Sequence, residues 1–222
     1  LLMLWPTLCI DNFFPNLNEV IKFAKSLPYK PSEDGRWPGE RSEILNKVSM
    51  DFFNYSTSKM IAALYPGDWR NMSWDAHSVF QKVSGMWQGE GWVHQDPLEI
   101  SCLVYLETDE NCGTSLFKQI THESIYSEGQ TEKRKGYLSP NMLEDKRSKE
   151  ALRKNNERFK KTASFDAVPN RLVLFDQSQF HGVNNFNNST DAERLTLVTF
   201  FGSVRRNDGQ QLKYHAVEAQ RV

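Results

Sequence analysis

Apolar residues along this chain recur with two different periods, and the change from one to the other divides the sequence. Leu17, Val20, Ile21, Ala24 and Leu27 fall three or four residues apart, the repeat of one buried helix face, and Pro28 stops the run. Val48, Phe52, Met60, Ile61 and Leu64 mark a second amphipathic helix over residues 46–64, ended by Pro66-Gly67. Short β-like runs then follow at 77–84, 92–94, 100–106, 115–119, 165–168, 171–175 and 194–201. Glycines and prolines such as Gly85, Gly89, Gly113, Pro169 and Gly182 punctuate them as turns would. The apolar opening Leu1-Leu2-Met3-Leu4-Trp5 reads as a first strand. Helices first and strands later predict a mainly β, α+β fold: one domain with helical support over 1–75, a β core over 76–204 and a tail over 205–222.

A length of 222 residues suits one undivided β domain. The net charge of −1 offers nothing to hold a nucleic-acid backbone or a membrane surface, so neither partner is expected. Leu1–Trp5 falls far short of the roughly 20 residues of a membrane-spanning helix and lacks the basic start of a secretory signal. The chain does not begin with Met, which leaves a trimmed targeting segment open. Cys9, Cys102 and Cys112 form neither a disulfide framework nor a zinc pattern, and a reducing cytoplasm is the expectation. Asn54, Asn71, Asn187 and Asn188 match the glycosylation triplet, a weak signal without a secretory leader.

Charge is uneven locally. Residues 130–161 hold eleven Lys or Arg against five Asp or Glu. A structureless insertion over about 121–161 would be unusual in a compact domain, so a helix around 143–159 is expected there. It is read either as a solvated element or as a lid, and a lid of this charge would favour an anionic substrate.

The chemistry concentrates in a few residues. In His94-Gln95-Asp96, side chains two apart on a strand point the same way and can reach one metal. Alone, such a triplet more often marks a surface turn. His181 follows the hydrophobic run 171–175 and is placed to add a third ligand from a neighbouring strand; the bland alternative is a hydrogen-bonded histidine at a strand end. Two imidazoles and a carboxylate can occupy one face of octahedral Fe(II), leaving positions open for a chelating co-substrate and oxygen. Alternation from 194 to 201 puts Arg194, Thr196, Val198 and Phe200 on one face. An inward arginine needs a partner, and a planar guanidinium grips a carboxylate with two parallel hydrogen bonds. A dicarboxylic ligand would meet that need, with Thr196 adding a hydroxyl; an internal salt bridge is the alternative.

The order His94-x-Asp96, His181, Arg194-x-Thr196 resembles the Fe(II)- and 2-oxoglutarate-dependent dioxygenases, most of all their prolyl 4-hydroxylase-like branch. Ile100-Ser-Cys-Leu-Val-Tyr-Leu106 followed by Cys112-Gly-Thr-Ser-Leu-Phe117 is similar to that family's strand and glycine-rich hairpin. The resemblance spans roughly 80–202 and implies a double-stranded β-helix, a jelly-roll variant with the metal in its mouth. It also implies roles: His94, Asp96 and His181 as iron ligands, Arg194 as the clamp on the distal carboxylate of 2-oxoglutarate, and Tyr105 near the co-substrate or simply in the core. Fe(II), 2-oxoglutarate and O2 would be required, with ascorbate as an auxiliary reductant. A C–H bond of a peptide side chain or small molecule would be hydroxylated, and retention of Asp96 favours hydroxylation over halogenation. Cys112 stands where the family commonly has glycine, and the basic insertion lengthens the gap between ligands.

Two other classes are compatible with the residues. One is a non-catalytic β-helix that binds metal or carboxylate as an interaction or sensor module. The other is a cupin-type isomerase, for which His77, His122 and His215 lack the spacing. Trp74, Trp87 and Trp92 precede the first ligand and are expected either to pack or to line an entrance.

Overall fold

The computed structural model describes residues 4–32, 37–121 and 145–209. Seven antiparallel strands form the larger sheet: β1 (Leu8–Ile10), β2 (Tyr29–Pro31), β3 (Glu40–Ser42), β4 (Met72–Ser84), β5 (Ile100–Glu107), β8 (Leu172–Asp176) and β10 (Glu193–Arg206). Their spatial order is β1-β8-β5-β10-β4-β3-β2. The smaller sheet has β6 (Thr114–Gln119) between β7 (Phe159–Phe165) and β9 (Phe180–Val183). Among the described residues no helix is long and apolar enough to cross a membrane.

Three helices cover one face of the large sheet. α1 (Leu17–Ser26) buries Val20 and Ala24, with Glu19 in its first turn and Lys25 in its last, each complementing the helix dipole. The second predicted helix is divided into α2 (Leu45–Val48) and α3 (Met50–Leu64). Ser49 takes an extended conformation between them, and its hydroxyl accepts the Phe52 N–H at 3.3 Å, so a capping residue ends one helix and starts the next. Val20, Ala24, Leu45, Met60 and Ile61 pack on Phe80, Ile100, Val104, Leu174 and Leu197 of the sheet.

Several expectations are corrected. Leu4 and Trp5 are not in a strand; the first strand is β1, three residues later, while residues 1–3 lie outside the described residues. The region 1–75 is not purely helical, since it contributes β1, β2, β3 and the start of β4. The strand expected at 165–168 lies at Phe159–Phe165 instead. It is an edge strand of the small sheet, and its exposed Lys160 and Lys161, typical of protected edges, hide it from a search for apolar runs. β10 continues to Arg206, past the expected boundary at 204, and residues 210–222 lie outside the described residues. In the insertion, α4 (Lys146–Asn156) is the expected helix, started by Asp145, whose carboxylate accepts the Ser148 N–H at 2.7 Å; residues 122–144, including His122, lie outside the described residues, as does His215.

Gly113 explains the hairpin before β6. A Cβ there would lie 1.8 Å from the Phe165 carbonyl oxygen, so the close approach of these strands requires glycine at 113, and Cys112 packs in the core beside it.

Candidate metal and carboxylate site

The two sheets face each other across a cavity of about 480 Å³, lined at one end by His94, Asp96 and His181 and also by Arg194 and Thr196. His181 lies on β9, opposite Leu116 of β6. His94 lies just beyond the other edge of β9, in a single antiparallel bridge: its N–H donates to the His181 carbonyl at 3.0 Å, and the His181 N–H donates back at 2.9 Å. The run expected as a strand at 92–94 is thus reduced to one paired residue. Asp96 follows in a loop held by the fully buried Gln177. The Asp96 N–H donates to the Gln177 carbonyl at 3.1 Å; the Gln177 side-chain oxygen accepts the Leu98 N–H, and its amide donates to Ile100 O, each at 3.1 Å. Gln177 carried no signal of its own in the sequence, following a hydrophobic strand as an ordinary polar residue.

Both imidazoles are oriented in the same way. His94 Nδ1 lies 2.7 Å from the Trp92 carbonyl oxygen and His181 Nδ1 lies 2.9 Å from that of Gln179. A carbonyl only accepts, so each Nδ1 carries a proton, which leaves each Nε2 as the ring atom available to a metal. These nitrogens point at Asp96, 3.6 Å from His94 Nε2 to Oδ1 and 3.4 Å from His181 Nε2 to Oδ2. Burial pushes the Asp96 carboxyl up, but hydrogen bonding to His181 and His94 outweighs it and holds the group far below the usual carboxylate range. One ligand atom from each residue lies within 4.8 Å of the others. Metal bonds of about 2.0–2.2 Å put adjacent ligands about 3 Å apart, and these three atoms are gathered near that spacing. The residues fit a two-histidine, one-carboxylate metal centre with open positions.

Arg194 lies in the same cavity and is 5% exposed. Its Nε has no hydrogen-bond partner, and no carboxylate pairs with its guanidinium among the described residues. The internal salt bridge considered from sequence is therefore absent there. Burial pushes its pKa down, partly opposed by Tyr105 and Cys112. Tyr105 is fully buried, with its ring 5.6 Å below the guanidinium and its hydroxyl donating to Thr114 Oγ1 at 2.9 Å. It does not line the cavity, although Thr114, not singled out from sequence, does. Thr196 lines the wall beside Arg194, and Val198 and Phe200 continue along the same face of β10, as the alternation predicts.

The tryptophans separate. Trp87 and Trp92 pack with Val83 and Phe186, Trp74 packs with the helix-side core, and only Trp92 of the three reaches the cavity. Trp37, which the sequence reading passed over, also lines it. Of the glycosylation triplets, Asn187 is buried and donates to the carbonyls of Val83, Ser84 and Trp87.

Solved structures show the same architecture. HygX from Streptomyces hygroscopicus, crystallised with nickel and 2-oxoglutarate, is 12% identical over 88% of this chain and 82% of its own, with a TM-score of 0.53. An oxidoreductase of the 2OG-Fe(II) oxygenase family from Burkholderia pseudomallei is 13% identical over 88% and 85%, with a TM-score of 0.50. EvdO2 from Micromonospora carbonacea var. aurantiaca, complexed with 2-oxoglutarate, is 11% identical over 93% and 90%, also at 0.50. At these identities the likeness is one of fold: the chain has the double-stranded β-helix of the 2-oxoglutarate oxygenases. No curated protein matches it. The region that matches a family model, residues 5–201, contains all of both sheets except the last residues of β10, together with every candidate ligand, and it makes this chain a member of DUF6445, a family of unknown function.

Proposed function

We propose that this chain is an Fe(II)- and 2-oxoglutarate-dependent dioxygenase acting as a hydroxylase. The observation that carries the reading is one cavity holding both the His94, Asp96 and His181 cluster and the buried, carboxylate-lacking Arg194. His94, Asp96 and His181 would hold the iron. Iron with 2-oxoglutarate and O2 supplies oxidation of a substrate C–H bond to C–OH, while 2-oxoglutarate leaves as succinate and CO2.

The protein's own contributions follow from its geometry. The Trp92 and Gln179 carbonyls fix both imidazole tautomers. Arg194 receives the distal carboxylate through charge-assisted hydrogen bonds, Thr196 offers a hydroxyl beside it, and Tyr105 supports the guanidinium from below. Phe175, whose ring centroid lies 4.8 Å from that of His181, and the neighbouring Leu103 and Val198 add apolar wall beside these polar groups. A cavity of about 480 Å³ is sized for a small molecule or one peptide side chain. HygX was crystallised with the small molecule hygromycin B, and the substrate class proposed here is likewise a small molecule or an exposed side chain.

The test is an anaerobic visible-absorption titration of Fe(II)-loaded protein with 2-oxoglutarate, beside an Arg194→Ala variant. A charge-transfer band that saturates in the wild type and needs far more 2-oxoglutarate in the variant is the expected result. A folded, iron-loaded wild type that develops no band excludes the assignment.

A further inference from the structure

Of the two candidate histidine ligands, His94 has the less regular support: His181 lies within β9, whereas His94 is a single bridged residue. On one side its segment is held by β9, through the His94 and His181 bridge and through the Gly91 N–H donating to Val183 O at 2.8 Å. On the other side no strand pairs with it among the described residues. Two side-chain amides of α4 stand there instead. Asn156 Oδ1 accepts the Val93 N–H at 3.0 Å, Asn156 Nδ2 donates to Gly91 O at 3.0 Å, and Asn155 Nδ2 donates to Val93 O at 2.9 Å. Donors and acceptors thus meet the backbone in the manner of a neighbouring strand, and a 3.0 Å bond from Asn155 Nδ2 to Asn156 Oδ1 ties the two amides together.

The sequence of α4 places these amides. Ala151 and Leu152 pack against the cluster of Val83, Trp87, Trp92 and Phe186, and residues four further on share a helix face with them. Those residues are Asn155 and Asn156. The remaining surface of α4 is charged, with Glu150 bonded to Arg153 and Lys154 along the exposed side. An 11-residue helix this polar is marginal by itself, so its position depends on the docked face.

We infer that α4 is a positioning element for the metal centre, and that Asn155 and Asn156 act as a surrogate strand that fixes the backbone leading into His94. The inference rests on the reading of His94, Asp96 and His181 as metal ligands. It assigns this part of the basic insertion to holding a ligand in place instead of covering the substrate.

The experiment is a Co(II) titration of the purified full chain, followed by its ligand-field absorption, with apo-protein melting recorded in parallel. The variants are Asn156→Ala, His94→Ala and Asn170→Ala. Asn170 is a more deeply buried control whose amide holds the Phe14 backbone, at 2.8 and 2.7 Å, and bonds to none of the candidate ligands. Asn156→Ala is expected to weaken Co(II) binding about 10–100-fold, the range seen when partners of metal ligands are removed, and to alter the band shape. Asn170→Ala lowers the melting temperature and leaves Co(II) affinity unchanged. Wild-type affinity in Asn156→Ala, or equal weakening in both asparagine variants, overturns the inference while the site reading stands. Absence of Co(II) binding in the wild type, or full binding in His94→Ala, removes the site reading and the inference with it. Should Asn156→Ala not fold, Asn156→Asp keeps the acceptor for Val93 N–H and loses the donor to Gly91 O. It is expected to bind Co(II) more weakly than wild type, and unchanged binding overturns the inference.

Discussion

The two faces of the large sheet are built from alternate residues of the same strands, yet they treat polar groups in opposite ways. Toward the helices β5 turns Ile100, Cys102, Val104 and Leu106, and β10 turns Leu195, Leu197 and Phe201. Toward the cavity the same strands turn Ser101 and Leu103, then Arg194, Thr196, Val198 and Phe200. The helix side also buries two hydroxyls, Ser78 and Thr199, but they bond to each other at 2.7 Å. The cavity side leaves Arg194 without a carboxylate. A packed face satisfies its polar groups internally, whereas a face that must receive a ligand keeps one unsatisfied. Because side chains alternate, a one-residue slip of β10 would carry Arg194 into the helix core, so hydrophobic patterning and the proposed function fix the same register.

This contrast can be broken at several points. Asp96→Ala on the cavity side should abolish 2-oxoglutarate turnover while the melting temperature changes little; succinate formation at the wild-type rate would contradict the metal assignment. Leu197→Ala, on the helix side, should cost about 2–5 kcal/mol in denaturant unfolding and leave Co(II) affinity intact. Arg194→Met reverses that pattern. Calorimetric titration of the metal-loaded protein should show 2-oxoglutarate binding weakened by about 2–5 kcal/mol, while stability is unchanged or raised because an unpaired buried charge has gone. Thr199→Val should cost about 1–3 kcal/mol by stranding the Ser78 hydroxyl, and adding Ser78→Ala should recover much of the loss. The smallest effect belongs to the rim: Lys25 and Glu107 pair at 2.7 Å with both side chains exposed, and Lys25→Ala should shift stability by no more than about 1 kcal/mol.

Sequence legibility followed the same division. β10 and β5 were readable because strict alternation records burial directly, and the convergence of His94, Asp96, His181 and Arg194 on one cavity was readable from their order and spacing together, although each alone had a bland alternative. β7 was misplaced because an edge strand carries lysines, and α2 and α3 were merged because their apolar stripe continues across Ser49. The supports of the site were least visible. Gln177, Asn155 and Asn156 act through side-chain amides on backbone groups distant in sequence, a relation that leaves no periodic trace. Tyr105, expected either near the co-substrate or in the core, is fully buried with its ring beneath Arg194.

The pairing of Gln119 with Phe159 closes the small sheet across the insertion. Whatever lies between those residues leaves and returns at adjacent points, so its length is decoupled from the spacing of the ligands. Closing a longer connection across a fixed pair of residues costs only about 0.6 kcal/mol of chain entropy for each doubling of its length. Related chains can therefore lengthen or shorten the stretch ahead of α4 at small thermodynamic cost, whereas a single residue gained or lost between Gly91 and Asp96 would turn His94 or Asp96 away from His181. Variation in this fold should accumulate in the first place and be purged from the second.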